Sequence, residues 1–244
     1  MIDLGNLALV LALCAVLSVL SYWFGLLNGS GAASSFAVGA IIGGLGSIGW
    51  LVTLLAFTFL GFFVTKFRFQ AKKMLNVQEG TKGERTYRNV LANGLVPAAV
   101  AVISFALGQQ GSEIAGIAFI SSVAVAAADT TASELGVLSK NVYLITTGRK
   151  VRPGTDGGIS AIGTASCIAA SAMASLVGWL AIFWSNPFDP VIAIPIAMGV
   201  TGCMLDSVVG ATLERSGKVT KLGNNMMTMG LGAMLSVVLY VLFV

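Results

Sequence analysis

The stretch IAGIAFISSVAVAAADTTASELG (residues 114–136) indicates the class of protein before any other feature does. Residues 114–128 carry no charge and are mostly small or apolar. Two carboxylates, Asp129 and Glu134, then follow among hydroxyls, and Gly136 is a residue type that commonly ends a helix. We therefore predict an apolar helix that ends in a polar motif at a membrane surface.

Composition also favours an integral membrane protein. Of 244 residues, 56% are hydrophobic and 10% are charged, and the mean hydropathy is +0.90, far above that of ordinary soluble domains. The 30 glycines favour helices that pack closely through small residues. Cys14, Cys167 and Cys203 stand singly in apolar runs, so we expect packing residues rather than disulfides or zinc ligands. Histidine is absent, which excludes catalysis and metal binding by imidazole.

Apolar runs long enough to cross a bilayer divide the chain. The run 34–65 would measure roughly 48 Å as one helix, whereas a bilayer core is about 30 Å thick. We expect it to break at GLGSIGW. The sequence thus predicts an all-α fold, a polytopic transmembrane bundle of about 7–8 helices that forms one domain over 1–244. The other predicted spans are 4–27, 90–108, 114–128, 159–184, 190–209 and 225–243.

Charge is distributed unevenly between the connections. All 14 Lys and Arg residues fall within 66–88, 140–152 and 215–221, and the connections GQQGSE and SNPFD contain none. Because spans between the basic segments come in pairs, all three segments return to one face. The positive-inside rule predicts that this face is cytoplasmic. The alternative for any single lysine is that it only orients the protein and attracts anionic headgroups.

The segment GTKGERTYRNVLANG leads from the first basic segment into a span. If a helix begins near Glu84, then Arg85, Asn89 and Asn93 form one polar stripe, and Arg88 can pair with Glu84. An arginine beside amides suits a phosphate oxygen. The alternative is a solvated helix start whose amides cap neighbouring groups.

The motif ADTTASELG offers two carboxylates within two helical turns. If the helix continues through it, Asp129 shares a face with Ser133, and Gly136 ends the helix. Carboxylates at the mouth of a bundle are suited to Mg²⁺, which prefers one or two of them together with substrate phosphates and water. Helix capping or hydrogen bonding within the bundle is the alternative for Asp129 and Glu134.

The segment TTGRKVRPGTDGGISAIGT combines basic residues with glycines just before another span. Arg149 and Lys150 precede Asp156, Gly157 and Gly158. Exposed backbone N–H groups and the positive end of a helix dipole would lie beside basic side chains, which predicts an anion site. The spacing does not match a P-loop. A flexible turn without a ligand is the alternative.

A fourth motif, LDSVVGATLE, repeats the order of the second, with Asp206 and Glu214 at the end of an inward-running span. A distant internal repeat is one interpretation of this similarity. The following LGNN supplies Asn224 and Asn225 as amide donors, or as simple caps of the last helix.

The acidic and basic groups fall on one face of the membrane. Carboxylates that hold Mg²⁺, basic groups and a glycine-rich backbone together suit a metal-bridged phosphate. If the acceptor is itself a phosphate, it is already an anionic nucleophile and needs no histidine base.

These motifs resemble those of a membrane family that includes plant phytyl phosphate kinase and transmembrane protein 19, and that is distantly similar to dolichol kinases and CDP-lipid synthases. The resemblance rests on ERTYRNVLANG, ADTTASELG, TTGRKVRPGTDGGIS, DSVVGATLE and the following NN, and it runs from about Gly39 to the C-terminus. It implies a kinase that adds a second phosphate to a prenyl monophosphate, with CTP or another nucleoside triphosphate as donor.

The resemblance also implies roles for individual residues. Asp129, Asp156 and Asp206 would hold Mg²⁺ and, with Glu134, form the catalytic set. Arg85 and Asn93 would position the lipid phosphate, while Arg149 and Lys150 would hold nucleotide phosphates. The remaining substrate-binding candidates are Arg88, Asn89, Ser133, Thr155, Gly157, Gly158, Ser160, Asn224 and Asn225.

Two other functions stay open on the sequence alone. A transporter or flippase for a phosphorylated lipid or small anion would need charge near the midplane or on both faces, whereas the outer connections carry only Glu113 and Asp189. A cytidylyltransferase acting on a lipid phosphate would release pyrophosphate. Membrane lipid is an expected partner and nucleic acid is not, and a homo-oligomer is left open.

Overall fold

The computed structural model describes residues 4–243, and within them eight helical segments are long and apolar enough to cross a membrane. This confirms the predicted all-α bundle and its upper helix count. The spans are α1 (Leu4–Trp23), α2 (Gly29–Ile41) with the π-helical turn Ile42–Gly46, α3 (Ile48–Lys66), α5 (Tyr87–Ala106), α6 (Glu113–Gly136), α7 (Ala161–Ile182), α8 (Ala193–Val209) between the 3₁₀ turn Pro190–Ile192 and the π-helical turn Gly210–Glu214, and α9 (Lys221–Phe243). A short helix, α4 (Phe69–Met74), follows α3.

The long apolar run breaks where the sequence predicted. The π-helical turn Ile42–Gly46 ends α2, and Ser47 is extended and caps α3 by accepting a hydrogen bond from the N–H of Trp50 at 3.3 Å. The ring of Trp50 lies against Gly46, where a Cβ would stand 2.7 Å from the ring. Glycine therefore allows the chain to turn back tightly between two spans.

Helix α6 forms the centre of the bundle. In the 18-residue apolar stretch of α6, 89% is buried inside the bundle, compared with 17% in the corresponding stretch of α1. Small residues explain the difference, because glycines let neighbouring helices approach α6 closely. A Cβ at Gly202 of α8 or at Gly232 of α9 would overlap Val125 of α6. The position of α6 is thus fixed by close packing on several sides.

The connections α1–α2, α3–α5, α6–α7 and α8–α9 lie at one end of the bundle, as the parity of the spans requires. The α6–α7 connection contains a small antiparallel sheet, which the all-α prediction did not include. Its strands β1 (Val142–Leu144), β2 (Lys150–Val151) and β3 (Gly158–Ile159) are ordered β2-β1-β3. This sheet holds the glycine-rich segment against the ends of the spans.

Candidate functional site

Two aspartates meet where α6 and α8 reach the basic end of the bundle. Helix α6 continues through ADTTASELG to Gly136, as predicted, and carries Asp129 on its last turns. The close approach of α8 places Asp206 so that the two carboxyl groups are within hydrogen-bonding range of each other. The hydroxyl of Thr228 lies 3.5 Å from Asp206 Oδ2. Two motifs that are 77 residues apart in sequence (206 − 129) therefore form one acidic centre.

The π-helical turn after α8 directs a third carboxylate to this centre. In the turn Gly210–Glu214 the helix takes an extra residue, an irregularity that is frequent at functional sites. Asn224 Nδ2 donates to Glu214 Oε2 at 3.2 Å and to the backbone oxygen of Asp206 at 3.1 Å. Asn224 therefore fixes the geometry of this acidic segment, in addition to its predicted position at the start of α9.

The glycine-rich turn packs directly against the end of α8. Gly157 has φ +75° and its Cα faces the backbone of Ala211, where any Cβ would overlap, so only glycine fits there. The N–H groups of Thr155 and Gly158 donate within the turn, to Arg152 and Thr155 oxygens respectively. Within residues 4–243, the N–H groups of Asp156 and Gly157 have no protein acceptor. These two groups are the ones available to an anion.

Together these segments enclose a cavity of about 350 Å³. Its wall includes most of the predicted site residues. Those that line it are Asp129, Ser133, Glu134, Thr155, Asp156, Gly157, Gly158, Ser160 and Asp206. Glu214, which the sequence grouped with Asp206, lines it as well, and so do Glu79 and Lys221, which the sequence did not single out. Ser160 also caps α7 by accepting from Gly163 N at 3.1 Å.

Lys221 is the one basic residue of the described chain that lines this cavity. It is the first residue of α9 and interacts electrostatically with Asp129, Asp206 and Glu214. No carboxylate of residues 4–243 lies within 4 Å of its ammonium group. Sequence reasoning missed Lys221 because it grouped the residue with a basic loop, although its place just before the motif LGNN was a usable signal.

Glu134 has a different environment from the two aspartates. Its carboxylate forms an ion pair with the buried ammonium group of Lys72 at 2.5 Å and accepts from Thr65 Oγ1 at 3.0 Å. Lys72 also donates to the backbone oxygens of Val64 and Thr65, at the end of α3. The charge of Glu134 is thus already neutralised by the protein, which favours a structural role for this candidate catalytic residue.

The first motif differs from its prediction. Helix α5 begins at Tyr87 rather than near Glu84, because Thr86 is its N-cap and Asn89 completes a capping box. The predicted pair of Arg88 with Glu84 is wrong. Glu84 instead accepts from Thr81 and from the Lys82 N–H, hydrogen bonds that lower its pKa to about 2.

Arg85 still points toward the bundle although it precedes α5. Its backbone pairs with the α1–α2 connection, since Arg85 N donates to Leu26 O at 3.0 Å and Asn28 N donates to Arg85 O at 3.1 Å. Burial lowers the pKa of its guanidinium, while Glu134 and Glu79 act in the opposite direction. Arg85 remains the charged member of the first motif that faces the protein interior.

The amides of the first and last motifs meet within the bundle. Asn225 Nδ2 donates to Asn93 Oδ1 at 3.3 Å, and Asn93 Nδ2 donates to Asn89 O at 3.1 Å. Asn89 Nδ2 reaches Glu79 Oε1 at 3.0 Å, and Glu79 lines the cavity. The predicted stripe therefore connects α5 and α9 beside the cavity instead of lining it.

Three predicted basic residues lie outside the cavity wall. Arg88 is exposed and donates to the hydroxyl of Tyr87. Arg149 and Lys150 are exposed on the small sheet, and Lys150 Nζ donates to Asn141 Oδ1 at 2.9 Å. The structure does not bring these three side chains to the acidic centre.

The acidic centre is compatible with Mg²⁺. No group of three or more Asp, Glu or Cys side chains in residues 4–243 forms a complete protein metal cage. Mg²⁺ does not require one, because it is usually bound by one or two carboxylates plus water and substrate phosphates. Asp129 and Asp206, which lie within hydrogen-bonding range of each other without a basic group at ion-pair distance, meet that description. Asp156 lines the same cavity as a third candidate ligand.

These features define a class: a multi-pass integral membrane protein with a carboxylate-lined cavity at one end of its helix bundle. The chain belongs to the family described as integral membrane protein DUF92, whose model matches residues 12–235. This confirms the membrane family expected from the motifs.

Similar proteins come from archaea, cyanobacteria and plants. The membrane protein MJ0933 of Methanocaldococcus jannaschii is 34% identical over 88% of this chain and 86% of its own. The membrane protein sll0875 of Synechocystis is 32% identical over 86% and 78%. The chloroplastic protein VTE6 of Arabidopsis thaliana is 28% identical over 87% of this chain and 65% of its own. No solved structure is significantly similar to the chain.

Proposed function

We propose that the protein is a Mg²⁺-dependent kinase that converts a prenyl monophosphate to the diphosphate, with CTP as the favoured nucleoside triphosphate. The observation that carries the proposal is the adjacent pair Asp129 and Asp206 in a 350 Å³ cavity with Lys221 and the turn at Asp156 and Gly157. Two carboxylates, one ammonium group without an ion pair at contact distance and unbonded backbone N–H groups are suited to phosphoryl transfer.

Asp129 and Asp206 would hold Mg²⁺, with Asp156 as a further ligand. The metal ion would supply neutralisation of the charge on the donor phosphates. Lys221 would bind a phosphate oxygen, and the N–H groups of Asp156 and Gly157 would bind another. Lys221 would thus take the role that the family resemblance implied for Arg149 and Lys150.

The transfer itself needs little acid–base chemistry from the protein. An oxygen of the ionised acceptor phosphate forms a bond to the γ-phosphorus, while the bond from that phosphorus to the β,γ-bridging oxygen breaks. The leaving group is the nucleoside diphosphate, and an ionised acceptor has no proton to remove. Absence of histidine is consistent with this reaction, since no strong general base is involved.

Two further findings support the proposal. The motifs that line the cavity are those that resemble the family with plant phytyl phosphate kinase, and a plant chloroplastic protein is among the relatives. The cavity opens at the end that bears the basic connections, so the positive-inside rule favours a cytoplasmic active face. A soluble nucleotide would reach the cavity from that side.

Product analysis tests the proposal. The purified protein is incubated in nanodiscs with Mg²⁺, a labelled nucleotide (CTP, UTP or ATP) and a panel of prenyl monophosphates. A kinase produces a prenyl diphosphate and a nucleoside diphosphate in equal amounts. Release of pyrophosphate with a nucleotidyl-lipid product would indicate a cytidylyltransferase instead. No nucleotide binding or turnover, together with movement of the lipid across the bilayer, would indicate a flippase.

A further inference from the structure

A second, smaller cavity of about 50 Å³ lies between α2, α3 and α5. Arg85 and Asn89 line it at the basic end of the bundle, and Asn93 lies one turn deeper on α5. The rest of its wall is mainly apolar and includes Val38, Leu54 and Phe57. Leu54 precedes the end of α3 by twelve residues, which places it about 18 Å deeper along the helix. The cavity is thus charged at the basic end of the bundle and apolar deeper between the helices.

The guanidinium of Arg85 is held in place without a carboxylate partner. Its Nη2 donates to Thr65 Oγ1 at 2.9 Å, and Gly61 O lies at 3.4 Å. Its Nε is buried with no acceptor, and no carboxylate of residues 4–243 is within 4 Å. Gly61 leaves room for the group, since a Cβ there would lie 3.1 Å from Arg85 Nη1. A half-buried guanidinium with no ion-pair partner at contact distance is suited to bind an anion.

Two hydrogen-bonded links connect this cavity to the larger one. Thr65 Oγ1 accepts from Arg85 and donates to Glu134, whose side chain lines the larger cavity. Asn89 of the small cavity donates to Glu79 of the larger one. The cavities therefore share a wall, and a molecule with its charged head at Arg85 would lie beside the larger cavity, next to Glu134 and Glu79.

We propose that the small cavity binds the acceptor as a single-chain lipid monophosphate, with the phosphate on Arg85 and the first part of the chain between α2, α3 and α5. This inference rests on the proposed function and adds an explanation of which lipid phosphates the enzyme accepts. With about 50 Å³ between Val38, Leu54 and Phe57, the cavity favours the first part of one apolar chain over the two chains of a phospholipid. An inorganic phosphate would satisfy Arg85 but leave the apolar part empty.

Photolabelling tests this site without any catalytic readout. A prenyl monophosphate that bears a diazirine on its chain is bound to the protein in nanodiscs, and labelled peptides are identified by mass spectrometry. We expect label on α2, α3 and α5, at least tenfold weaker labelling in Arg85→Gln, and similar loss in Thr58→Phe, which fills the slot. The matched controls are Arg68→Gln in the same loop and Val52→Phe on the lipid-exposed side of α3; both should label as the wild type does.

Competition separates the sources of phosphate. Unlabelled prenyl monophosphate should displace the probe, whereas inorganic phosphate and phosphatidic acid at the same concentration should not. Equal displacement by either of them, or unchanged labelling in both site variants, would overturn the proposal. Thermal unfolding of each variant shows that the fold is intact. Specific labelling in a protein that lacks kinase activity would retain the lipid site and reject only the proposed function.

Discussion

The ends of α6 and α8 have similar sequence motifs, but their glutamates lie in different environments. Each inward-running helix presents an aspartate, a hydroxyl, small residues and then a glutamate. The aspartates, Asp129 and Asp206, meet at the same centre. The glutamates separate, because Glu134 pairs with Lys72 in the wall, whereas Glu214 lines the cavity with no ammonium group of residues 4–243 within 4 Å.

The difference arises from what surrounds each helix end. Helix α6 stays regular, and α4 supplies Lys72 from 62 residues away in sequence. Helix α8 changes to a π-helical turn at Gly210, and Asn224 of α9 holds the resulting carboxylate. Similar local sequences therefore take a structural role in one place and a site role in the other, and substitutions should separate the two roles.

The largest effect is expected from Lys72→Met. It removes the ammonium group from a buried pair and leaves Glu134 charged without its ion-pair partner, which should lower stability by about 3–5 kcal/mol. Thermal unfolding in detergent measures the change. Lys73→Met, on the exposed side of the same helix, should unfold as the wild type does. Adding Glu134→Gln to Lys72→Met should recover part of the loss; no recovery would argue against the pair as its cause.

The next largest effect is expected from Asp206→Asn. Loss of one of the two adjacent carboxylates should reduce prenyl diphosphate formation by about a hundredfold or more while the protein stays folded. Asp189→Asn, a matched change at the opposite end of the bundle, should leave activity unchanged. Initial rates at saturating Mg²⁺ give the comparison, and an Asp206→Asn protein with wild-type rates would remove α8 from the acidic centre.

Lys221→Met should reduce kcat/KM for the nucleotide by about ten- to a hundredfold, because a charge-assisted hydrogen bond to phosphate is lost. Lys218→Met, in the same connection but outside the cavity, serves as the control. If Arg149→Gln or Lys150→Gln lowers kcat/KM more than Lys221→Met does, the nucleotide phosphates bind at the small sheet instead.

The smallest effect is expected from Glu214→Gln, which keeps an oxygen for Asn224. Stability should stay near that of the wild type, because Asn224 keeps its hydrogen-bond acceptor. The Mg²⁺ concentration that gives the half-maximal rate should rise by about a few fold, because the acidic centre loses one negative charge but no ligand is removed. Glu134→Gln should behave in the opposite way, with lower stability because Lys72 loses its partner. Identical behaviour of the two variants would contradict the difference between the helix ends.

The sequence was sufficient for features that depend on local pattern. Run length predicted the spans, the glycines and Ser47 marked the break, and the parity of basic segments placed Asp129, Asp156 and Asp206 at one end. Features that depend on distant partners were not predictable. Nothing local pairs Lys72 with Glu134, and the π-helical turn that carries Glu214 packs against Gly157, which is more than 50 residues away in sequence.

The start of α5 is a second feature that the sequence did not predict correctly, although the residues involved are close together in the chain. The predicted stripe from Arg85 to Asn93 depended on a helix that begins near Glu84. Instead, Thr86 and Asn89 form a capping box, and the residue before this box pairs with the α1–α2 connection. The local rule for capping was present in the sequence. Spacing alone favoured an earlier start, so the prediction of the helix boundary was wrong while the inward position of Arg85 was preserved.

We propose above all that Asp129 and Asp206 jointly hold the metal of a metal–nucleotide complex. Electron paramagnetic resonance with Mn²⁺ in place of Mg²⁺, and with a non-hydrolysable CTP analogue, measures this binding directly. Asp129→Asn and Asp206→Asn should each weaken Mn²⁺ binding at least tenfold, and Asp189→Asn should not change it. Unchanged Mn²⁺ affinity in both site variants, with the fold intact, would contradict the account.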